Sequence, residues 1–251
     1  MIFAPISALH GLVLILRHAA FDFRVVKSKK ASIPTLVIGN IHAGGTGKTP
    51  HASAFLKLFA DKLGGPQYVA LLSRGYGRRS QGFKWVSENG DWREFGDEPY
   101  LLKQLNSNHP IAVSENRLKG IDIIKKSMPN VKLVILDDGL QHRSLIPHKS
   151  IVLLDSQRPL SQEALIPAGS LRDLKSRVNK FDAIIFTRSN NQEKTCKSIF
   201  SSEMTTQVTV KNTSNTKVKP RVLAVSGIAE PDRFMEGLDL KWNVLKRQSY
   251  P

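Results

Sequence analysis

The chain has a single cysteine, Cys196, in 251 residues. One thiol excludes a disulfide framework and fits a reducing compartment. Acidic residues are also scarce. Asp and Glu number 21 against 37 Lys and Arg, a formal charge of +16. Unless a basic bias simply runs through the lineage, that surplus implies an anionic partner: nucleic acid, an acidic membrane or a phosphorylated substrate. No stacking-aromatic motif and no zinc finger occurs, which disfavours nucleic acid. Repeats and low-complexity tracts are missing too. So is a long apolar run. Residues 1–23 come nearest, but Pro5 and His10 interrupt them and Arg17 ends them, short of the about 20 apolar residues that a spanning helix needs. No basic residue precedes that stretch, which makes it a poor signal peptide.

What is present is a chain long enough for one large domain, or one domain and a smaller one, with 41% hydrophobic residues to fill a core. The apolar start is followed by Arg17, Arg24, Lys27, Lys29 and Lys30. An apolar helix with a basic cluster behind it suits the surface of an anionic cytoplasmic leaflet. An N-terminal helix packed into the core is the other reading.

The stretch that organises the rest is Leu36-Val37-Ile38-Gly39-Asn40-Ile41-His42-Ala43-Gly44-Gly45-Thr46-Gly47-Lys48-Thr49-Pro50. It reads as a buried strand, a glycine-rich loop and a helix start. Gly44, Gly45, Thr46 and Gly47 allow backbone N–H groups to turn toward an anion, and the helix N-terminus adds its positive end. Lys48 can reach the β- and γ-phosphates of ATP, and the Thr49 hydroxyl can ligate Mg²⁺. The spacing departs from the standard G-x-x-x-x-G-K-[ST] loop, because His42 occupies the first glycine slot. The slot that carries an extra lysine in the deviant form of the loop is Ala43.

Downstream, helical periodicity covers 51–63 and a strand covers 68–72. That strand runs into Ser73-Arg74-Gly75-Tyr76-Gly77-Arg78-Arg79, whose arginines could grip phosphate at a strand's C-terminal end or simply face solvent. Residues 83–86 with the Asn89-Gly90 turn suggest a small hairpin. Asp97 and Glu98 precede Pro99 and a helix over 100–105. They are either helix-start chemistry or, near a phosphate loop, a carboxylate base for an acceptor hydroxyl. The run 131–136 ends in Asp137-Asp138-Gly139, the acidic strand tip that holds Mg²⁺ opposite a phosphate loop. Strands follow at 151–155 and 181–186, with Arg172 between them as a phosphate clamp. Thr187-Arg188-Ser189-Asn190 lacks the aspartate of the guanine-reading motif, which disfavours GTP. Residues 211–219 are polar and linker-like, 221–227 read as a strand, and 231–238 begin a helix. The alternation predicts an α/β fold, a mostly parallel sheet with helices on both faces.

Taken together these motifs resemble the tetraacyldisaccharide 4′-kinases, the lipid A kinases. The resemblance rests on Gly39-Asn40 with Gly44 to Pro50, Ser73-Arg74-Gly75-Tyr76-Gly77-Arg78, Gly96-Asp97-Glu98-Pro99, Asp137-Asp138-Gly139-Leu140-Gln141-His142, Pro167-Ala168-Gly169-Ser170-Leu171-Arg172 and Ser226-Gly227-Ile228, in family order. It implies a P-loop NTPase-like kinase domain over 31–205, an N-terminal interfacial helix and basic cluster over 1–30, and part of a smaller second domain over 206–251. It also implies ATP-dependent phosphorylation of a lipid disaccharide's 4′-hydroxyl at the cytoplasmic face of the inner membrane. Lys48 and Thr49 would serve phosphate and Mg²⁺, Asp137 and Asp138 the metal, Arg172 the phosphates, and Asp97 the base with Glu98 beside it. Two departures stand out. Asp173 replaces the family's usual Glu, and the chain ends before the family's Asp-His-His motif, one histidine of which pairs with the base. A molecule ending at Pro251 would be expected to bind ATP with reduced turnover. Rival readings are a membrane-surface ATPase switch and a nucleotide-binding remnant. Acyl-chain preference, oligomeric state and a role for His142 do not follow from the sequence.

Overall fold

The computed structural model describes residues 3–188 and the strand backbones at 199–202, 221–226 and 243–249. It divides into two compact units, 1–204 and 205–251.

In the first unit the elements run in the order α1 (Ala4–Asp22), β1 (Lys29–Lys30), β2 (Thr35–Asn40), α2 (Lys48–Leu63), β3 (Val69–Ser73), β4 (Lys84–Trp85), α3 (Trp92–Phe95), α4 (Asp97–Leu105), β5 (Ile111–Val113), α5 (Arg117–Ser127), β6 (Leu133–Asp137), β7 (Leu145–Ile146), β8 (Lys149–Asp155), β9 (Ala183–Thr187) and β10 (Ile199–Ser202). Eight of the strands form one sheet in the order β10-β9-β8-β2-β6-β3-β5-β4. Every pairing in it is parallel except β4 with β5. β1 and β7 make a separate short parallel pair. In the second unit, β11 (Arg221–Ser226) and β12 (Asn243–Ser249) pair in parallel. The helix expected at 231–238 and the linker at 211–219 lie outside the described residues.

Strand alternation divides the core. Leu36 and Ile38 of β2 point to one face with Leu71 and Ile135, where Ala52 and Leu56 of α2 and Leu102 of α4 cover them. Val37, Leu72 and Leu136 point to the other face, under Ile121 and Ile124 of α5. β2, β3 and β5 are buried along their whole length, which is why they read as unbroken apolar runs. The expected two-faced parallel α/β sheet is therefore present. The expected hairpin is not. β4 pairs with β5 as an antiparallel edge strand, and the chain after Asn89-Gly90 enters α3 instead of returning. Asp91 caps that turn by accepting from the Arg93 N–H at 2.9 Å.

α1 is long and apolar enough to cross a membrane by length and composition alone. It attaches to the sheet unit mainly by polar contacts. Ser7 donates to the Leu165 carbonyl at 2.9 Å, His10 to the Ile166 carbonyl at 3.1 Å and Arg17 to the Gln141 carbonyl at 2.6 Å. Only Gly11, Leu14 and His18 are buried. Leu9, Leu12, Val13 and Leu16 stay exposed, each at 51–62%. The core-helix reading of this segment fails on that exposure.

Candidate active site

β2 delivers the chain into the loop 41–47, and α2 begins at Lys48. The two halves of this loop differ. The first half is zipped to the segment 170–172. His42 bridges Leu171 in antiparallel fashion, the Ala43 N–H donates to the Ser170 carbonyl at 2.7 Å, and the Arg172 N–H donates to the Ile41 carbonyl at 2.8 Å. The backbone at 42 is thus sheet-like, and no glycine is needed there. The second half turns. Gly44 has φ +98° and Gly47, the residue capping α2, has φ +77°, a region that a side chain strains. Asn40 braces the turn by donating to Thr46 Oγ1 at 2.5 Å. His51 donates from Nδ1 back to the Gly47 carbonyl at 2.7 Å.

The same zipper sets Arg172 beside the loop. Its guanidinium donates to the Asn40 carbonyl at 3.2 Å and to Asp138 Oδ2 at 3.0 Å, and it makes a second contact with each of these residues. Asp138 lies just past the tip of β6, where φ +52° turns the chain. Asp137, the last residue of β6, is buried, and neither carboxylate oxygen has a hydrogen-bond partner. Burial, then Glu98 and Asp138, push its pKa up to about 7 against the pull of Lys48 and Arg117.

Asp97 and Glu98 form the first turn of α4, which begins at Asp97, earlier than the expected 100. Both residues are exposed. Glu98 nonetheless feels the site. Surrounding protein raises its pKa, Lys48 opposes that, and Asp97 and Asp138 add to it. Asp97 precedes Glu98 in the same helical turn. The turn that holds the pair is locked from behind. Gly96 has φ +93°, and a Cβ there would come within 3.0 Å of the Tyr76 carbonyl. Gly75 has φ +69°, and a Cβ there would meet the Phe95 carbonyl at 2.6 Å. The two glycine motifs therefore interlock backbone against backbone.

Lys48, Glu98, Asp137, Asp138 and Arg172 thus form one electrostatic group at the C-terminal ends of β2 and β6. Arg74 and Arg78, both after β3, do not share a role. Arg78 turns inward, with a side chain 2% exposed, pairs with Glu115 and donates to Ser80 Oγ at 3.0 Å. It is a structural residue and not a phosphate grip. Arg74 stays exposed, near enough to lower the pKa of both Arg117 and His142.

The sequence reading passed over Arg117. It is buried in the first turn of α5, its pKa lowered to about 10 by burial and then by Arg74, while Asp137 pulls it back up. Its place at the start of a helix that follows a buried strand was the available signal. Asp173 was read only as a shortened Glu. It is buried and accepts from His18 Nε2 at 2.7 Å.

Among the described residues no group of three His, Cys, Asp or Glu side chains is arranged to hold a metal by itself. The residues present still fit Mg²⁺, which keeps several waters and takes one or two carboxylates. The unpartnered oxygens of Asp137 are the observation that carries the fit.

The chain is similar to known proteins of one family. The family model for tetraacyldisaccharide-1-P 4′-kinase matches residues 1–251. The tetraacyldisaccharide 4′-kinase of Bacteroides thetaiotaomicron is 38% identical over 185 residues, 73% of this chain and 48% of that protein. The chain spans about half the length of the Bacteroides and Cytophaga relatives it matches. The enzyme of the same name from Methylobacillus flagellatus is 32% identical over 254 residues, covering 100% of this chain and 75% of that one. The crystal structure of the "apo" form of LpxK from Aquifex aeolicus in complex with ATP superposes with a TM-score of 0.82 at 30% identity, over 99% of this chain and 81% of that one. On the strength of a family match along its whole length, joined to a fold and motif order that agree with it, this chain belongs to the tetraacyldisaccharide-1-P 4′-kinase family.

Proposed function

We propose that the protein transfers the γ-phosphoryl group of ATP to the 4′-hydroxyl of a tetraacyl disaccharide 1-phosphate, at the cytoplasmic surface of an anionic inner membrane. The observation that carries this reading is the grouping of Lys48, Glu98, Asp137, Asp138 and Arg172 around the start of α2, in a chain of this family.

The loop amides from Gly44 to Gly47 and the N-terminus of α2 hold the phosphates, and Lys48 neutralises the group in transfer. Thr49, Asp137 and Asp138 would hold Mg²⁺, which when bound offsets the charge of the β- and γ-phosphates. Arg172 is anchored on the Asn40 carbonyl as well as on Asp138, so its position would not depend on Asp138 alone. Asp97 accepts the proton of the 4′-hydroxyl as that oxygen attacks in line, with Glu98 beside it in the same helical turn. Positioning contributes most, because phosphoryl transfer asks little covalent chemistry of the protein. The exposed apolar face of α1 seats the protein at the bilayer where the acceptor resides.

The test is ATP-dependent phosphorylation of the disaccharide in mixed micelles. Lys48→Ala is expected to abolish it. Asp97→Asn is expected to keep ATP affinity while turnover falls by about 10²–10⁴. An Asp97→Asn enzyme with full turnover sinks the base assignment. ATP hydrolysis that proceeds equally without the disaccharide favours an ATPase switch instead.

A further inference from the structure

A cavity of ≈ 380 Å³ opens between the C-terminal half of α1 and the short 3₁₀ segment Lys175–Lys180. No part of the proposed transfer reaction uses it. Its apolar wall is Ile15, Ala19, Phe23 and Leu174, and its cations are Arg177 and Lys180. Among the described residues neither cation has a hydrogen-bonded or ion-paired side chain, and the Arg177 Nε is buried without a partner. Burial and the neighbouring Arg143 hold the Arg177 pKa below its ordinary value, against the opposing pull of Asp173 and Asp22. A guanidinium in that state gains from any anion that reaches it. One carboxylate, Asp22, also lines the cavity. It is paired with Arg143 at 2.6 Å, and its charge also reaches Arg177 and Lys180, so it offsets part of the positive charge and leaves two cations facing one shared carboxylate.

We propose that this cavity binds an acylated phosphate, the phosphate on Arg177 and Lys180 and the first methylenes of its chain against Ile15, Ala19, Phe23 and Leu174. The inference rests on the membrane seating of α1 proposed above, since that seating brings lipid to the cavity mouth. Two sources share this chemistry: an anionic phospholipid of the bilayer, and the phosphate already present on the acceptor disaccharide. His18 lines the same cavity and binds Asp173, the neighbour of Arg172. The lipid site therefore adjoins the chain segment that carries the phosphate clamp.

The test measures binding of short-chain phosphatidylglycerol, of the disaccharide 1-phosphate, and of short-chain phosphatidylcholine as the zwitterionic control, to the full chain in neutral detergent. Two pocket variants act by different means. Arg177→Ala/Lys180→Ala removes the cations, and Ala19→Phe fills the cavity without changing charge. Lys57→Ala/Lys126→Ala removes the same charge from the remote surfaces of α2 and α5. For at least one anionic lipid, affinity should fall about tenfold or more in both pocket variants and hold in the remote variant. The lipid that responds names the source. Equal affinity for both anionic lipids in wild type and pocket variants overturns the proposal, as does phosphatidylcholine binding as tightly as the anionic lipids. Parallel measurement of phosphoryl transfer separates the two readings, because a protein that binds lipid here without transferring phosphate fails the kinase assignment alone.

Discussion

Arginines and histidines that look alike in the sequence end in opposite surroundings. Arg78 is turned inward against Glu115, while Arg74, four residues earlier, stays exposed. Nothing in Ser73-Arg74-Gly75-Tyr76-Gly77-Arg78 says which turns inward, because the partner lies 37 residues away. His42 and His51 bracket the phosphate loop. His51 bonds to Gly47, but both ring nitrogens of His42 are buried without a partner, as are those of His109. Burial holds the pKa of His42 and of His109 below the 6.5 of a free imidazole. The unfolded chain therefore takes up protons before the folded one as pH falls. Stability is intact above 6.5, and its loss starts there and grows until the lowered folded values are passed. Thermal unfolding should show a midpoint falling from about pH 7 to about pH 5, with a shallower fall in His42→Leu. A pH slope unchanged by that substitution removes His42 from the account. The placement of Lys48, Thr49, Asp137 and Asp138 at or beside a strand or helix end was legible because the apolar pattern marks those ends. Arg117 and Asp173 were not, because their meaning lies in partners that only the fold supplies.

At the scale of elements, the loop after β3 and the turn before α4 behave as one piece. Gly75 and Gly96 meet where neither tolerates a side chain. Gly75→Ala combines strain at φ +69° with a contact at 2.6 Å on a backbone oxygen. It is expected to cost about 1–3 kcal/mol, read as a lowered thermal midpoint. It should also move Asp97 and Glu98, so turnover should drop more than ATP affinity does. A variant that loses stability but keeps turnover per folded molecule would show that the interlock does not position the carboxylates. The buried strands were legible because both faces of the sheet are covered. α3 and the two-residue strands β1 and β7 were not, nor was the partner of β4, because tertiary partners and not local periodicity define them.

At the scale of the molecule, an exposed apolar helix joins a chain of formal charge +16. Moving a leucine side chain out of water is worth about 1.5–3 kcal/mol. Leu12→Glu/Leu16→Glu should therefore weaken partition to anionic vesicles by about a hundredfold or more, while ATP affinity is unchanged. Partition that survives the double substitution overturns the seating of α1. The apolar-then-basic pattern was legible in residues 1–30. That the helix turns its polar side inward was not, because that depends on carbonyls and side chains at 141, 165, 166 and 173.

Those contacts lie at both ends of α1. Ser7 and His10 hold one end, and Arg17 and His18 hold the other. A helix fastened at two points cannot hinge. With α1 at rest in the interface, the cleft sits at one height above the lipid headgroups, as a gauge fixed to a bench reads a single level. On the proposed seating and base assignment, hydroxyls carried at that level would meet Asp97. Those on soluble sugars, or set deeper among the chains, would not, so selection would begin with altitude before any side chain reads the sugar.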